Sequence, residues 1–301
     1  MIIKKLTVVL FSLGLFLVPL QTSAQVIGPV SYVALGDSLA AGQTPTREID
    51  TGYSDLIAQE IARNQPLAFY SKDLAFPGFT SADVLKRVQS KEAKPLLQNA
   101  NLITISAGAN DLLRLIKSDA KSGSLSFQQI PADYSLNNVR KNMKTMLAEL
   151  KKIAPKAEVY VMGYYFAYPH ARDSQKVGTA KQLNRLNQIL ANVAKEAGVK
   201  FVSVETAFGD QATGKVPNPA DVHPNAEGYR AMANSFFNVY AKGGMQVLAG
   251  EIPPANPLSF EQIMKDRQGA KATAAGDESA ALPSSFLEED YIAISEMKTM
   301  I

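Results

Sequence analysis

Cysteine is absent from this 301-residue chain, and histidine occurs only twice. Without a thiol the protein forms no disulfide, holds no metal through thiolate and attacks no substrate through a cysteine, so its stability rests on a packed core. A lipid-modified N-terminal cysteine is excluded on the same ground. The sequence has no HExxH pair, no CxxC, no dense group of carboxylates and histidines and no Gly-rich phosphate loop, so neither a metal nor an organic cofactor is expected. Excess charge is missing too. The formal net charge is +3, falling to about +1 without Lys4 and Lys5. Lys141, Lys144, Lys151 and Lys152 are spaced as on solvated helix faces. No interleaving of arginine with aromatics accompanies them, which excludes nucleic acid as a partner.

The one long apolar run covers residues 6–20, behind Lys4 and Lys5 and ahead of Gln21-Thr22-Ser23-Ala24. A basic start, a short apolar core and small residues at a cleavage site make residues 1–24 read as a signal peptide, cut after Ala24. The run is shorter than the roughly 20 residues a spanning helix needs, and no later segment is a better candidate, so no stable transmembrane segment is expected. The product is expected to be secreted or extracytoplasmic. About 277 residues then remain, enough for a large self-supporting core.

From residue 31 to about 240 short apolar runs alternate with stretches of helical period. Residues 32–35, 67–70, 102–105, 159–162 and 201–204 are short and rich in Val, Ile, Tyr and Phe, which predicts five strands. Helices are predicted over 53–63, 81–88, 111–116, 136–153, 181–197 and 226–240. Within the fourth, Leu136, Val139, Met143, Met146, Leu147 and Leu150 form one apolar stripe. The alternation predicts an α/β fold with a parallel sheet covered on both faces. The domain is placed at 25–245. Beyond it, Gly243-Gly244, Pro253-Pro254 and Pro257 mark a linker, and 270–285 is too poor in apolar residues to order itself, so 246–301 is read as a linker and partly mobile tail. Leu287, Tyr291, Ile294 and Met297 regain a helix-like spacing near its end. No internal repeat is visible.

Ligands of open α/β sheets bind outside the carboxyl ends of the strands. Reactive groups cluster just there. Gly36-Asp37-Ser38-Leu39 follows the first run, Phe76-Pro77-Gly78-Phe79 the second, Gly108-Ala109-Asn110-Asp111 the third and Asp221-Val222-His223-Pro224 the fifth. A serine hydroxyl attacks only with a base in reach to take its proton, and His223 can be that base for Ser38. Asp221, two residues before His223, can orient the ring as in a Ser-His-Asp triad; a backbone carbonyl is the alternative. Backbone N–H groups of Ser38 and Gly78 with the side-chain amide of Asn110 can hold an oxyanion. Asp37 is read as a turn or hydrogen-bonding residue and Asp111 as favoured by a helix N-terminus. His170, after Tyr164-Tyr165-Phe166-Ala167-Tyr168-Pro169, is read as a rim or surface residue, with an alternative role as base.

In this order the four blocks resemble those of the GDSL, or SGNH, hydrolase family, matching at Ser38, Gly78, Asn110 and His223 and spanning about residues 30–240. The resemblance implies a flavodoxin-like three-layer α/β/α sandwich on a five-stranded parallel sheet. It implies esterase or lipase activity without a metal or organic cofactor, with Ser38, Gly78 and Asn110 as the oxyanion hole. One position departs from the family: its usual acid stands three residues before the histidine, where this chain has Ala220. The expected function is a secreted serine esterase or lipase that hydrolyses carboxylic esters through an acyl-enzyme on Ser38, with His223 as general base. The substrate partner is a small-molecule ester, a lipid or an acylated glycan. The alternatives are a carbohydrate O-deacetylase, suited by a shallow groove rimmed by Tyr164, Tyr165 and Tyr168, and a non-catalytic envelope-binding module.

Overall fold

The apolar runs rich in Val, Ile and Tyr become the strands of one parallel sheet. The computed structural model describes residues 28–209, 212–242, 244–259, 261–263 and 265. The expected signal peptide at 1–24 and the helix-like spacing at 286–301 lie outside the described residues.

In chain order the strands are β1 (Val30–Gly36), β2 (Leu67–Ala75), β3 (Leu102–Ser106), β4 (Lys117–Asp119), β5 (Ser124–Ser126), β6 (Glu158–Met162) and β7 (Lys200–Val202). The helices are α1 (Ser38–Ala41), α2 (Tyr53–Asn64), α3 (Ser81–Val88), α4 (Ala93–Gln98), α5 (Ala109–Leu113), α6 (Gln129–Ile153), α7 (Asp173–Ala197), α8 (Glu205–Phe208) and α9 (Ala226–Tyr240). The main sheet has the order β2-β1-β3-β6-β7, with every pairing parallel. Helices α2 and α9 cover one face, and α3, α6 and α7 the other, which is the flavodoxin-like three-layer arrangement. Strand order reverses between β1 and β3. Register pairs Gly36 with Ser106, so the loops carrying Ser38 and Asn110 leave the sheet side by side at this switch point.

Burial explains which boundaries the sequence conveys. All of β3 and nearly all of β1 are buried, so both are continuous apolar runs. Edge strand β2 runs five residues past the predicted end through Ser71, Lys72 and Asp73, because an edge strand half open to solvent tolerates polar side chains. The stripe of α6 is buried as predicted, but the helix begins at Gln129, with Pro131 in the first turn where no intrahelical N–H is needed. Helix α7 begins at Asp173, eight residues early, and buries Thr179 and Gln182 where a hydrophobic period would show apolar residues. The hairpin β4–β5 is solvent-exposed and polar, so it carries no period-2 signal.

Past α9 the chain returns along the domain. Val247 is 1% exposed, and Asn234 brackets it, donating to the Val247 carbonyl at 3.1 Å and accepting from its N–H at 2.8 Å. Glu251 meets Arg63 at 2.9 Å, and its carbonyl accepts from Gln59. The Asn256 N–H donates to the Asp50 carboxylate. The domain boundary expected at 245 falls just ahead of this packed stretch. A chain ending at 245 loses a buried valine and an ion pair and is expected to melt about 3–8 °C below one ending after Leu258, measurable by differential scanning calorimetry.

Candidate active site

Gly36 makes the sharp exit from β1 possible. Its φ is +142°, and a Cβ there would stand 2.2 Å from the Ser106 carbonyl oxygen of the neighbouring strand. The chain turns into Asp37, whose side chain accepts the Leu39 N–H at 3.0 Å and so caps α1. Ser38 is therefore the first residue of that helix. Its backbone is fixed by the cap, and its side chain is aimed out of the sheet edge.

The structure brings three of the predicted residues into one relay. Ser38 Oγ lies 2.8 Å from His223 Nε2, and His223 Nδ1 lies 2.6 Å from Asp221 Oδ1. The two-residue spacing works because the Asp221 side chain folds back along the chain, its Oδ1 accepting the His223 backbone N–H at 2.8 Å as well as meeting the ring. Burial works to raise the Asp221 carboxyl, but the hydrogen bonds and charge of His223 outweigh it and Arg47 adds to them, so the net direction is downward. Asp221 Oδ2 faces Arg47 Nε at 3.5 Å. Tyr165 donates to the Val222 carbonyl at 2.8 Å and stacks on Phe208 with ring centroids 4.0 Å apart, which pins the loop from below.

Of the other two predicted residues, Asn110 lines the same cleft as Ser38, and Gly78 lies on the loop that Asn110 holds. Gly78 has a φ of +80°, a conformation that favours glycine. The loop holding it is clamped from α5: Asn110 Nδ2 donates to the Phe79 carbonyl at 2.9 Å, and the Arg114 guanidinium to the Gly78 carbonyl at 2.7 Å. Asn110 and Arg114 stand four residues apart, on one helix face. The amide of Asn110 has a second N–H, and the backbone N–H groups of Ser38 and Gly78 make no hydrogen bond to another described residue.

Two further residues find their partners away from Ser38, His170 exposed at the surface as its main reading expected. His170 is not at Ser38: its Nε2 pairs with the Val216 carbonyl at 2.8 Å, which ties it to the loop leading to Asp221. Asp111 does not serve its own helix alone. Its carboxylate accepts the N–H and hydroxyl of Ser81, each at 2.7 Å, and so anchors the start of α3, while burial raises its pKa against those bonds. Residues that sequence reading missed are Arg47, Arg114 and Ser106, none of which sits in a block that signals chemistry.

Asp37, next to Ser38, is buried. Its remaining partners are the Ser106 hydroxyl at 3.0 Å and the Tyr164 hydroxyl at 2.6 Å. Burial pushes its carboxyl up to about 6, against these hydrogen bonds and the nearby His223, which pull it down.

A cleft opens from Ser38, Asn110 and His223 between α5 and α7. Leu112, Leu113 and Ile116 form one wall, Leu183 and Leu186 another, and Phe166 and Tyr168 close it. Tyr164 and Tyr165 are buried, and both hydroxyls are already engaged, so they are not a sugar-binding rim.

A serine, a histidine and three candidate oxyanion donors at the switch point of a flavodoxin-like sheet define the SGNH type of hydrolase architecture. Comparison with known proteins agrees. The GDSL-like Lipase/Acylhydrolase family matches residues 34–231, and the chain belongs to that family. The YpmR protein of Bacillus subtilis (strain 168) is 22% identical over 227 residues, covering 72% of this chain and 83% of YpmR. Among solved structures, the lipase Lip_vut3 from a goat rumen metagenome superposes with a TM-score of 0.55 at 20% identity, covering 71% of this chain and 97% of that one. A variant of Axe2, an acetyl xylan esterase from Geobacillus stearothermophilus, gives 0.51 at 17% identity, over 72% and 95% of the two chains. At these identities the likeness of the solved structures is one of fold.

Proposed function

We propose that the protein is a secreted serine esterase or lipase that cleaves carboxylic esters through an acyl-enzyme on Ser38. The observation that carries this reading is the relay of 2.8 and 2.6 Å from Ser38 through His223 to Asp221, opening on an apolar cleft. In the first half-reaction the Ser38 hydroxyl adds to the ester carbonyl while His223 Nε2 takes its proton. The oxyanion is held by the N–H groups of Ser38 and Gly78 and the Asn110 amide. The C–O bond to the alcohol then breaks, His223 protonates the departing alcohol, and the acyl group stays on Ser38. Water repeats the sequence in the second half, with His223 again as base, and releases the acid.

The apolar walls favour an aliphatic acyl chain over a bare acetyl group, because burying methylenes is worth about 0.8 kcal/mol each. Rates on p-nitrophenyl esters from acetate to palmitate, beside acetylated xylan, test this. A kcat/KM that rises with chain length supports the lipase or esterase reading. Preference for acetylated xylan favours the deacetylase instead. Absence of turnover on every ester would leave a binding module. Export is supported by the signal-peptide pattern of residues 1–24, and N-terminal sequencing of the secreted protein should begin at Gln25.

Asn110→Ala removes the amide that both steadies the Phe79 carbonyl and faces the oxyanion position. The expected loss is about 2.7–4 kcal/mol of transition-state stabilisation, expressed in kcat. Steady-state kinetics check it, since a change confined to KM would make Asn110 a ground-state binding residue.

A further inference from the structure

Asp37 is the one buried carboxylate at this site that the relay does not use. It is 1% exposed, and its three partners are the neutral donors Leu39 N–H, Ser106 hydroxyl and Tyr164 hydroxyl. The ionisable groups facing it are Tyr53 on α2, Tyr164 and Tyr165 after β6, Tyr229 on α9, and His223. Burial raises the pKa of all four phenols, so they stay neutral at physiological pH. Arg47 is turned to Asp221. Among these groups, His223 alone becomes a cation, and does so when it takes the Ser38 proton.

We propose that Asp37 is a positioning residue whose side-chain oxygen holds Ser38 at the start of α1 and whose buried negative charge stabilises the His223 imidazolium formed during attack. The inference rests on the acyl-enzyme reading above. A carboxylate with no cationic partner in the resting enzyme, and one in the transition state, favours the transition state selectively, which is the condition for lowering a barrier. The fold bears the cost. The folded carboxyl holds its proton up to about 6 against an ordinary 3.8, so the folded state binds more protons than the unfolded one across that interval. Stability from this group is therefore lost as pH rises from 3.8 to about 6, and the deficit persists above it.

Asp37→Asn isolates the charge. Asparagine keeps an oxygen for the Leu39 N–H and the Ser106 hydroxyl and removes the charge. The expected result is a kcat lower by about 10- to 100-fold with KM within about twofold. At pH about 7.5 the variant should melt about 3 °C or more above the wild type, a gain that vanishes near pH 4. A carboxylate with only a structural role predicts the reverse, a lower melting point and unchanged kcat for the folded fraction. Either kcat within about threefold of wild type or a lower melting point at pH about 7.5 overturns the proposal. If Asp37→Asn does not fold, Tyr164→Phe serves. It removes one donor, so the carboxyl keeps its proton to higher pH. The proposal expects the acid limb of the kcat–pH profile to move to higher pH than in the wild type, with kcat regained at alkaline pH, and a loss uniform across pH overturns it. Failure of the acyl-enzyme reading would appear separately, as wild-type protein in which a fluorophosphonate does not label Ser38.

Discussion

Replacing Ser38 with alanine is expected to abolish ester hydrolysis, lowering kcat by about 10⁵- to 10⁶-fold while the melting curve stays close to wild type. The size follows from the arrangement. His223 Nε2 has Ser38 Oγ as its acceptor-side partner at 2.8 Å, and without that hydroxyl no group at the site can form the acyl intermediate. Under the proposed mechanism, what survives is the polarisation of a bound carbonyl by the N–H groups of Ser38 and Gly78 and by Asn110, which leaves a residual rate above water rather than none. The fold should tolerate the change because Ser38 is held by backbone, through the Asp37 cap on α1, and its side chain is not part of the core. Steady-state kinetics with a fluorophosphonate labelling experiment read out the result: label on Ser38 in the wild type and none in the variant. Turnover within about 100-fold of wild type would mean that another nucleophile operates.

Asp221→Asn is expected to have the second-largest effect, about 10⁴-fold in kcat. An asparagine of the same shape can present its amide N–H to His223 Nδ1, which selects the tautomer with the proton on Nε2. That ring cannot accept from Ser38. It also loses the negative charge 2.6 Å from the imidazolium. Because Oδ1 meets both the ring and the backbone N–H of His223, the substitution disturbs the backbone contact as well as the ring. Arg47, 3.5 Å from Oδ2, is more than half exposed and cannot replace the carboxylate. A drop of less than about tenfold, with an unchanged melting temperature, would show that Ser38 and His223 act as a dyad. The spacing makes this informative, since the acid stands one residue nearer the histidine than is usual in the family, with Ala220 in the usual place.

The sequence alone determines the elements whose chemistry is local. Strands β1, β3 and β6 are legible because a strand buried on both faces is a continuous apolar run, and the stripe of α6 because one buried face repeats every three or four residues. Ser38, Gly78, Asn110 and His223 stand out in the sequence as candidates because each falls after a strand in a block whose residue types suit one reaction, and four such blocks in order are hard to obtain by chance. Polar first turns, such as those of α6 and α7, leave no such trace. What the tertiary structure decided is everything that depends on distance across the fold. Ser38 and His223 are 185 residues apart, and only the switch between β1 and β3, together with the Asp221 side chain folded back onto the His223 N–H, brings Oγ, the imidazole and the Asp221 carboxylate into line. Arg114 clamps Gly78 from 36 residues away, and Tyr164 reaches Asp37 across 127. Such partners carry no sequence signal, because a hydrogen bond is set by position in space, and any element that the packing delivers to the right place can supply it.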